Sequence, residues 1–301
     1  MICLGIVDCD TSHCVEFTRR LNHIDIPEDQ WVDGARVVAA VPGTSQVSPE
    51  RIAGFVERLR GYQVEIVQDS EDLLGRVDGV LIEAVDGSVH LERSVQFLEA
   101  GLPLFVDKPF ATSIADATRL LDMAEARGVP VFSASALRYT PEVTDVLARA
   151  GELGRVLGAD TYGPAVEHPR NPGLFNYGVH AVEMLFQLLG PGCRSVLNTR
   201  RDDVEAVTGV WENGRIGTVR GTRHGPYAFG FTAFCQEAVV PRTIDGRYYY
   251  RELLRKVVAM FESGRQPLSR QELLEPVAFQ EAAANSARAS GVEISLPVYA
   301  R

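Results

Sequence analysis

Short apolar runs alternate with amphipathic segments over the first 135 residues of the chain. The runs are rich in Val and Ile, and this alternation is typical of βαβ units around a parallel sheet. It predicts strands at Ile2–Asp8, Arg36–Val41, Val64–Val67, Gly79–Glu83, Leu104–Val106 and Val131–Ser133, and helices at Cys14–Leu21, Glu50–Arg60, Leu91–Ala100 and Ile114–Arg127.

The pattern changes after about residue 135. Helices are predicted at Glu142–Ala150, Val179–Leu189, Arg251–Glu262 and Pro276–Ala289, the last with its proline in the first turn, and strands at Val156–Thr161, Ser195–Thr199, Glu205–Trp211, Ile216–Thr222 and Tyr227–Ala233. Successive strands joined by turns such as Glu212-Asn213-Gly214 favour antiparallel pairing. The stretch Asn22–Gly34 is expected to be a surface excursion.

These patterns predict an α/β fold with two domains. Residues 1–135 would form an N-terminal Rossmann-like, doubly wound parallel sheet that binds a dinucleotide. Residues 136–301 would form a C-terminal α+β domain with a mostly antiparallel open sheet, for substrate binding and oligomerisation, whose closing helix could pack back on the first domain. In doubly wound sheets ligands bind beyond the carboxyl ends of the strands, so the residues that follow each strand carry the candidate chemistry.

Composition narrows the class of partner. The chain has 301 residues, of which 46% are hydrophobic, and its net charge is -10, so nucleic acid is not an expected partner. No apolar run approaches the length of a membrane span, and the first residues lack the basic start of a signal peptide. Five cysteines without a C-x-x-C pair indicate reduced thiols. We therefore predict a cytoplasmic protein.

The first strand-to-helix turn reads Asp8-Cys9-Asp10-Thr11-Ser12-His13. A dinucleotide-binding turn has glycines where this chain has Asp8, Asp10 and His13, because the backbone there approaches a pyrophosphate closely. Asp8, Asp10 and His13 also resemble the ligands of a hard cation. Alternatively, the side chains of Asp10, Thr11 and Ser12 only cap the following helix.

The second strand ends in Val41-Pro42-Gly43-Thr44-Ser45, without the acidic residue that usually bonds the adenosine ribose. No arginine stands nearby to attract a 2′-phosphate either. The sequence therefore leaves NAD and NADP as equal candidates.

Lysine is scarce in this chain, since only Lys108 and Lys256 occur among 30 basic residues. Lys108 directly follows the predicted fifth strand, where a partly desolvated ammonium suits general acid–base chemistry. Pro109 fixes the backbone beside it, and its peptide bond could be cis. On a later segment Asn176 and His180 are four residues apart and would face the same way if that segment is helical.

Taken together, these segments resemble the glucose-fructose oxidoreductase / inositol dehydrogenase (Gfo/Idh/MocA) family of NAD(P)-dependent oxidoreductases. Asp107-Lys108-Pro109 matches the family's Glu-Lys-Pro motif. The segment from Asn176 through His180 to Glu183 matches its Asp-x-Gly-x-His-x-x-Asp motif, with Asn176 in place of the acidic residue. An amide cannot accept a proton as an aspartate can, so Asn176 would orient the substrate.

The resemblance implies an oxidoreductase that uses NAD or NADP on a secondary alcohol or ketone of a sugar, polyol or related small molecule. Its expected catalytic residues are Lys108, His180 and Asn176. The expected substrate contacts are Tyr177, Arg138 and His168. The expected cofactor contacts are Asp8, Asp10, Thr11, Ser12, His13, Asp86, His90, Asp107 and Pro109.

The resemblance also implies a homodimer or homotetramer that forms through the C-terminal sheet. Two other functions remain open because the glycines of the first turn are absent. One is a metal-assisted lyase, isomerase or hydrolase, with the cation held by Asp8, Asp10 and His13. The other is a non-catalytic sensor on the same fold.

Overall fold

The computed structural model describes residues 1–299, which form thirteen strands and nine α-helices. The strands are β1 (Ile2–Val7), β2 (Ala35–Val41), β3 (Glu65–Ile66), β4 (Gly79–Ile82), β5 (Leu104–Val106), β6 (Val131–Phe132), β7 (Val156–Pro164), β8 (Cys193–Arg200), β9 (Val204–Trp211), β10 (Ile216–Thr222), β11 (Gly230–Cys235), β12 (Val239–Thr243) and β13 (Ile294–Ser295). The helices are α1 (His13–Leu21), α2 (Pro49–Gly61), α3 (His90–Glu99), α4 (Ile114–Arg127), α5 (Pro141–Ala148), α6 (Ala150–Leu153), α7 (Val179–Leu189), α8 (Tyr249–Ser263) and α9 (Arg270–Arg288).

The chain divides into two units. The first comprises Met1–Ala111, Ala115–Ala134 and Tyr250–Leu268, so most of α8 belongs to it. The second comprises Thr112–Ile114, Ser135–Tyr249 and the described residues from Ser269 onward.

The first unit contains a parallel sheet with the strand order β3-β2-β1-β4-β5-β6. Every residue of β4 and β5 is buried, as is typical of parallel strands covered on both faces. The chain starts at β1 and crosses to the other half of the sheet at β4. The carboxyl ends of β1 and β4 therefore form the topological switch point, where ligands bind in such sheets.

The second unit contains a seven-stranded sheet in the order β12-β11-β7-β10-β9-β8-β13. Its pairs are antiparallel except for β7 with β10, which confirms the predicted mostly antiparallel sheet. Helices α7 and α9 pack against it and bury Phe186, Trp211 and Phe279 in one core.

All five cysteines are free thiols. None of the helices within residues 1–299 has both the length and the apolarity to span a membrane.

One helix boundary was predicted wrongly. Pro276 was expected in the first turn of a helix, but α9 begins six residues earlier, at Arg270. Ser269 and Glu272 form a capping box at that start, and their side chains satisfy each other's backbone N–H groups. The proline consequently lies inside the helix, where the side chain of Gln280 donates a hydrogen bond to its carbonyl at 2.8 Å.

Weak strands were missed or misplaced. The strand expected from Tyr227 begins only at Gly230, and β12 and β13 were not predicted. β13 has just two residues, and Pro241 interrupts the pattern of β12, so neither carries a clear alternation.

The surface excursion 22–34 contains one turn of 3-10 helix, Glu28–Gln30, and buries Gln30 and Val32.

Candidate active site

Four acidic residues lie at the carboxyl edge of the first sheet. Asp8 follows β1 and Asp10 lies two residues further along the same turn, while Glu83 follows β4 and Asp107 follows β5. Because β1, β4 and β5 are neighbours, their carboxyl ends meet at this edge. All four side chains are at most 2% exposed, so each must be compensated within the protein.

Asp107 is compensated by His13 and by a backbone amide. Its Oδ2 lies 2.7 Å from Nδ1 of His13, and its Oδ1 accepts a hydrogen bond from the Lys108 N–H at 2.7 Å. Burial alone would raise the pKa of Asp107, but the charges of His13 and Lys108 and these hydrogen bonds outweigh it and lower the pKa below its ordinary value. The His13 ring stacks on Phe17 at 4.9 Å and meets the edge of Tyr250 at 5.1 Å.

Glu83 is compensated less well, and sequence reasoning missed it. Its side chain is completely buried, and neither carboxylate oxygen accepts a hydrogen bond from residues 1–299. Burial raises its pKa well above the ordinary value, and the charges of Asp107 and Cys14 raise it further. Its Oε2 lies 3.9 Å from Nδ1 of His13. The sequence did offer a signal for Glu83, because it places a carboxylate directly after the apolar run of β4.

Asp8 turns toward the end of β2. Its backbone has φ 67°, the left-handed conformation that glycine adopts most easily. Its Oδ2 pairs with Nε of Arg93 at 3.0 Å, and burial raises its pKa against the effect of that arginine. A Cβ built on Gly43 would lie 1.7 Å from Oδ1 of Asp8, so the carboxylate packs directly over that glycine. Arg93 was not predicted.

The other side chains of the turn are used within the protein. Oδ1 of Asp10 accepts a hydrogen bond from the Val85 N–H at 3.0 Å. Burial raises the pKa of Asp10. Ser12 is the N-cap residue of α1, but its side chain makes no capping hydrogen bond, and Oγ1 of Thr11 accepts one from the His13 N–H at 3.4 Å. The predicted capping therefore comes from Thr11 alone.

The structure brings His13 together with Glu83 and Asp107 rather than with Asp8 and Asp10. The carboxylates of Asp8 and Asp10 are bonded to Arg93 and to the Val85 N–H, respectively. The metal set predicted from the turn, Asp8, Asp10 and His13, is therefore not assembled as one group within the described residues.

Asp86 and His90 hold the loop after β4. Oδ1 of Asp86 accepts hydrogen bonds from the backbone N–H and the hydroxyl of Ser88. The two ring nitrogens of His90 lie 3.2 Å and 2.8 Å from the carbonyl oxygens of Phe110 and Ala84, and the ring is fully buried. His90 thus connects the loops that follow β4 and β5, and this loop is one border of the predicted cofactor site.

Lys108 lies half-buried directly after Asp107, and the Lys108–Pro109 peptide bond is cis. Pro109 itself is buried. The predicted position of Lys108 at the carboxyl end of β5 is therefore the observed one.

In the second unit, His180 is held by a serine and surrounded by aromatic rings. Its Nδ1 lies 2.6 Å from Oγ of Ser135, which is fully buried. The Phe229 ring meets the imidazole at 5.3 Å, and the Tyr177 ring lies at 6.0 Å. Ser135 was not singled out from the sequence.

Asn176 lies before α7 rather than on it, because the helix begins at Val179. Helical spacing therefore does not align it with His180. Its Nδ2 donates a hydrogen bond to the Val166 carbonyl at 2.9 Å, so the side chain fixes the preceding loop.

Two predicted substrate contacts have other surroundings. Arg138 is 1% exposed and pairs with Glu183 at 3.0 Å, which makes it a core ion pair rather than a surface that a substrate could reach. His168 accepts a hydrogen bond from the Arg170 N–H and lines a separate cavity of about 390 Å³ with Glu167, Arg200 and Arg288.

Comparisons with known proteins give a family match over part of the chain and a fold for the whole of it. Residues 31–135 match the family described as "Oxidoreductase family, NAD-binding Rossmann fold". The match starts after the turn in which the glycines are absent.

Among curated relatives, "Dehydrogenase aclE" of Aspergillus oryzae is 29% identical over 162 residues, which are 52% of this chain and 42% of that protein. "Inositol 2-dehydrogenase 2" of Saccharopolyspora erythraea is 26% identical over 173 residues, 53% of this chain and 48% of that protein. The alignments thus span less than half of these relatives.

Solved structures resemble the whole chain. GenD2 from gentamicin A biosynthesis, in complex with NAD, superimposes with a TM-score of 0.80 at 17% identity and covers 99% of this chain and 97% of that one. The myo-inositol dehydrogenase of Lactobacillus casei, in complex with NAD(H) and myo-inositol, gives a TM-score of 0.77 at 14% identity, with 100% and 98% covered. At these identities the likeness establishes the fold.

The position of Asp8 over Gly43 predicts a strong coupling between the two residues. Gly43→Ala adds a methyl group that clashes with the Asp8 carboxylate, in addition to the left-handed φ of 67°. We expect a loss of unfolding free energy of about 3 kcal/mol in urea titration. In the background Asp8→Gly the same substitution should cost only about 1 kcal/mol, because the left-handed backbone and a 3.1 Å approach to the Cα of residue 8 remain but the clash with the carboxylate is gone.

Gly75→Ala is the matched control, since Gly75 has φ 75° and open space around its Cβ position. Equal losses for Gly43→Ala and Gly75→Ala would contradict the described position of the Asp8 side chain.

Proposed function

We propose that this protein is an NAD-dependent dehydrogenase, because residues 31–135 match the family described as an NAD-binding Rossmann oxidoreductase family. Its substrate would be a secondary alcohol or ketone of a sugar, polyol or related small metabolite. The observation that carries the proposal is Lys108, which follows β5 at the carboxyl edge of the sheet, beside a carboxylate that His13 keeps ionised. NAD, when bound, would take up or release the hydride.

The altered turn is compatible with a dinucleotide. Asp8 keeps a glycine-like backbone at φ 67°, and the carboxylates of Asp8 and Asp10 are bonded to groups of the protein. The start of α1 has no side-chain cap from Ser12, so the backbone N–H groups there that Thr11 does not bond would face a pyrophosphate. Beside the ends of β1 and β2 lies a cavity of about 260 Å³, lined by Asp8, Gly43 and Arg93 among others.

This cavity supports NAD over NADP. Three acidic side chains, Asp8, Asp69 and Glu71, line it. Its one lining arginine, Arg93, is paired with Asp8, so the charge around the cavity is negative. Oδ1 of Asp8 is buried and accepts no hydrogen bond from residues 1–299, so a rotation of the carboxylate toward the cavity would let it accept one from a ribose hydroxyl. In this role Asp8 replaces the acidic residue that is missing at the end of β2. A 2′-phosphate would instead meet like charge, at about 1 to 4 kcal/mol for each close pair.

The resulting prediction concerns cofactor preference. The wild-type protein should bind NADH at least about tenfold more tightly than NADPH, measured by fluorescence titration. Asp8→Gly should bring the ratio of the two dissociation constants toward one, because it removes a carboxylate from the cavity and leaves Arg93 with the exposed Glu92 as its ion-pair partner. Asp78→Asn is the control, since Asp78 bonds the Cys3 N–H at the opposite end of β1. A wild-type preference for NADPH would contradict the proposed role of Asp8.

Lys108 would exchange the proton of the substrate hydroxyl through Nζ. Asp107, ionised and fixed by His13, places a negative charge beside this ammonium, and the lysine is half-exposed. In the second unit, His180 would be a second proton carrier, with its ring oriented by Ser135. Tyr177, half-buried next to His180, would contact the substrate. The amide of Asn176 would position the loop around it.

Lys108→Ala should lower kcat by a factor of about 10² to 10⁴, with the melting temperature and the NADH dissociation constant unchanged. Turnover would be measured as NADH formation with a panel of inositols, aldoses and acyclic polyols. Lys256→Ala, which removes the other lysine of the chain from an exposed position on α8, should retain full activity. Full activity of Lys108→Ala would contradict the assignment.

The outer face of the second sheet supports the predicted homodimer or homotetramer. Ile216 and Val239 are 53% and 60% exposed, and their strand partners Val210 and Phe234 are also exposed. A continuous apolar surface of this kind is typical of an interface.

The remaining predictions, a cytoplasmic location and a small molecule rather than nucleic acid as partner, rest on the free cysteines and the net charge of -10.

Ile216→Lys should therefore reduce the mass of the particle in size-exclusion chromatography with light scattering, because it places a charge within this apolar surface. Leu74→Lys, at an exposed apolar residue of the first unit, is the control and should leave the mass unchanged. A monomeric wild-type protein would contradict this interface.

A further inference from the structure

Three buried side chains from three chain segments converge at the carboxyl edge of the first sheet. His13 begins α1, Glu83 follows β4 and Asp107 follows β5. Nδ1 of His13 and one oxygen of each carboxylate all lie within 4.8 Å of one another. Each of the three residues is at most 6% exposed.

Glu83 is the unusual member of this cluster. The carboxylates of Asp8, Asp10 and Asp107 each have a partner, namely Arg93, the Val85 N–H and His13. Both oxygens of Glu83 are buried and accept no hydrogen bond from the part of the chain that the structure describes. A fully buried carboxylate in this state requires either a proton or a cation.

We propose that His13, Glu83 and Asp107 bind one divalent transition-metal ion, of the class Mn²⁺, Fe²⁺ or Zn²⁺. One imidazole nitrogen and two carboxylate oxygens are the donors that these ions share. A neutral imidazole, two carboxylates and a divalent cation have zero net charge together, which suits a buried site. This assignment does not depend on the proposed redox activity.

The distances in the cluster suit such an ion after small shifts. Nδ1 of His13 lies 2.7 Å from Oδ2 of Asp107 and 3.9 Å from Oε2 of Glu83. Ligands about 2.1 Å from one tetrahedral ion are about 3.4 Å apart, which falls between these two distances. The supporting contacts are already present, because Phe17 and Tyr250 fix the imidazole ring and the Lys108 N–H holds the other oxygen of Asp107.

The burial of the cluster determines what the ion would do. With His13 at 6% exposure and the two carboxylates fully buried, a substrate has no path to the ion. The ion would instead tie together the segments that follow β1, β4 and β5, and would keep Asp107, and thereby Lys108, in position. It therefore differs from the substrate-activating cation predicted for Asp8, Asp10 and His13.

The test is metal binding by the intact protein. Protein purified without chelator should contain about one transition-metal ion per chain by mass spectrometry. After removal of metal with EDTA, titration with ZnCl₂ or MnCl₂ should give a single site by calorimetry and raise the melting temperature. Glu83→Gln removes one anionic ligand at constant size and should weaken binding at least about tenfold.

Asp10→Asn is the matched control, because it neutralises a buried carboxylate of the same edge outside the three proposed ligands. Its ion affinity should change less than about threefold. Equal affinities of Glu83→Gln and the wild type would overturn the proposal, as would wild-type protein that takes up neither ion at millimolar concentration.

X-ray absorption of the wild-type zinc form keeps the proposal testable if Glu83→Gln does not fold. The expected first shell has one imidazole and otherwise oxygen ligands. A sulfur ligand would overturn the ligand set, since the buried thiol of Cys14 lies near Glu83.

Discussion

A carboxylate that is withdrawn from water needs positive charge or hydrogen-bond donors in its place, and this requirement organises the edge where β1, β4 and β5 end. His13 satisfies Asp107 from the start of α1, and Arg93 satisfies Asp8 from α3. Each pair joins segments that are distant in the chain. The position of Lys108 depends on the first of them, since its backbone N–H bonds the carboxylate that His13 holds.

The same pairs explain how two aspartates can stand in a turn where a dinucleotide-binding loop has glycines. Asp8 adopts the backbone conformation of a glycine, and its side chain points over Gly43 rather than into the turn. Asp10 bonds a backbone amide after β4. The acidic charge is thereby moved from the position of a pyrophosphate toward that of a ribose, which is the physical basis for proposing NAD.

The sequence predicted the parallel sheet well because most of its strands lie in short apolar runs, and Leu104–Val106 and Ile114–Arg127 have the predicted bounds. The site was predicted only in part. Lys108 could be located because it directly follows a buried strand. Glu83 carried the same signal but was missed. Arg93 and Ser135 could not be located, because their importance arises from contacts with residues 85 and 45 positions away in the chain, in the pairs Arg93–Asp8 and Ser135–His180. Periodicity carries no information about such pairs.

The most direct test of the account is a crystal structure of the protein grown with NADH. If the protein binds NAD as proposed, we expect a dinucleotide at the carboxyl edge of the first sheet. Its pyrophosphate should lie at the start of α1, and an adenosine ribose hydroxyl should bond the Asp8 carboxylate. A structure without dinucleotide at saturating NADH would contradict this expectation and would remove the basis for proposing a dehydrogenase.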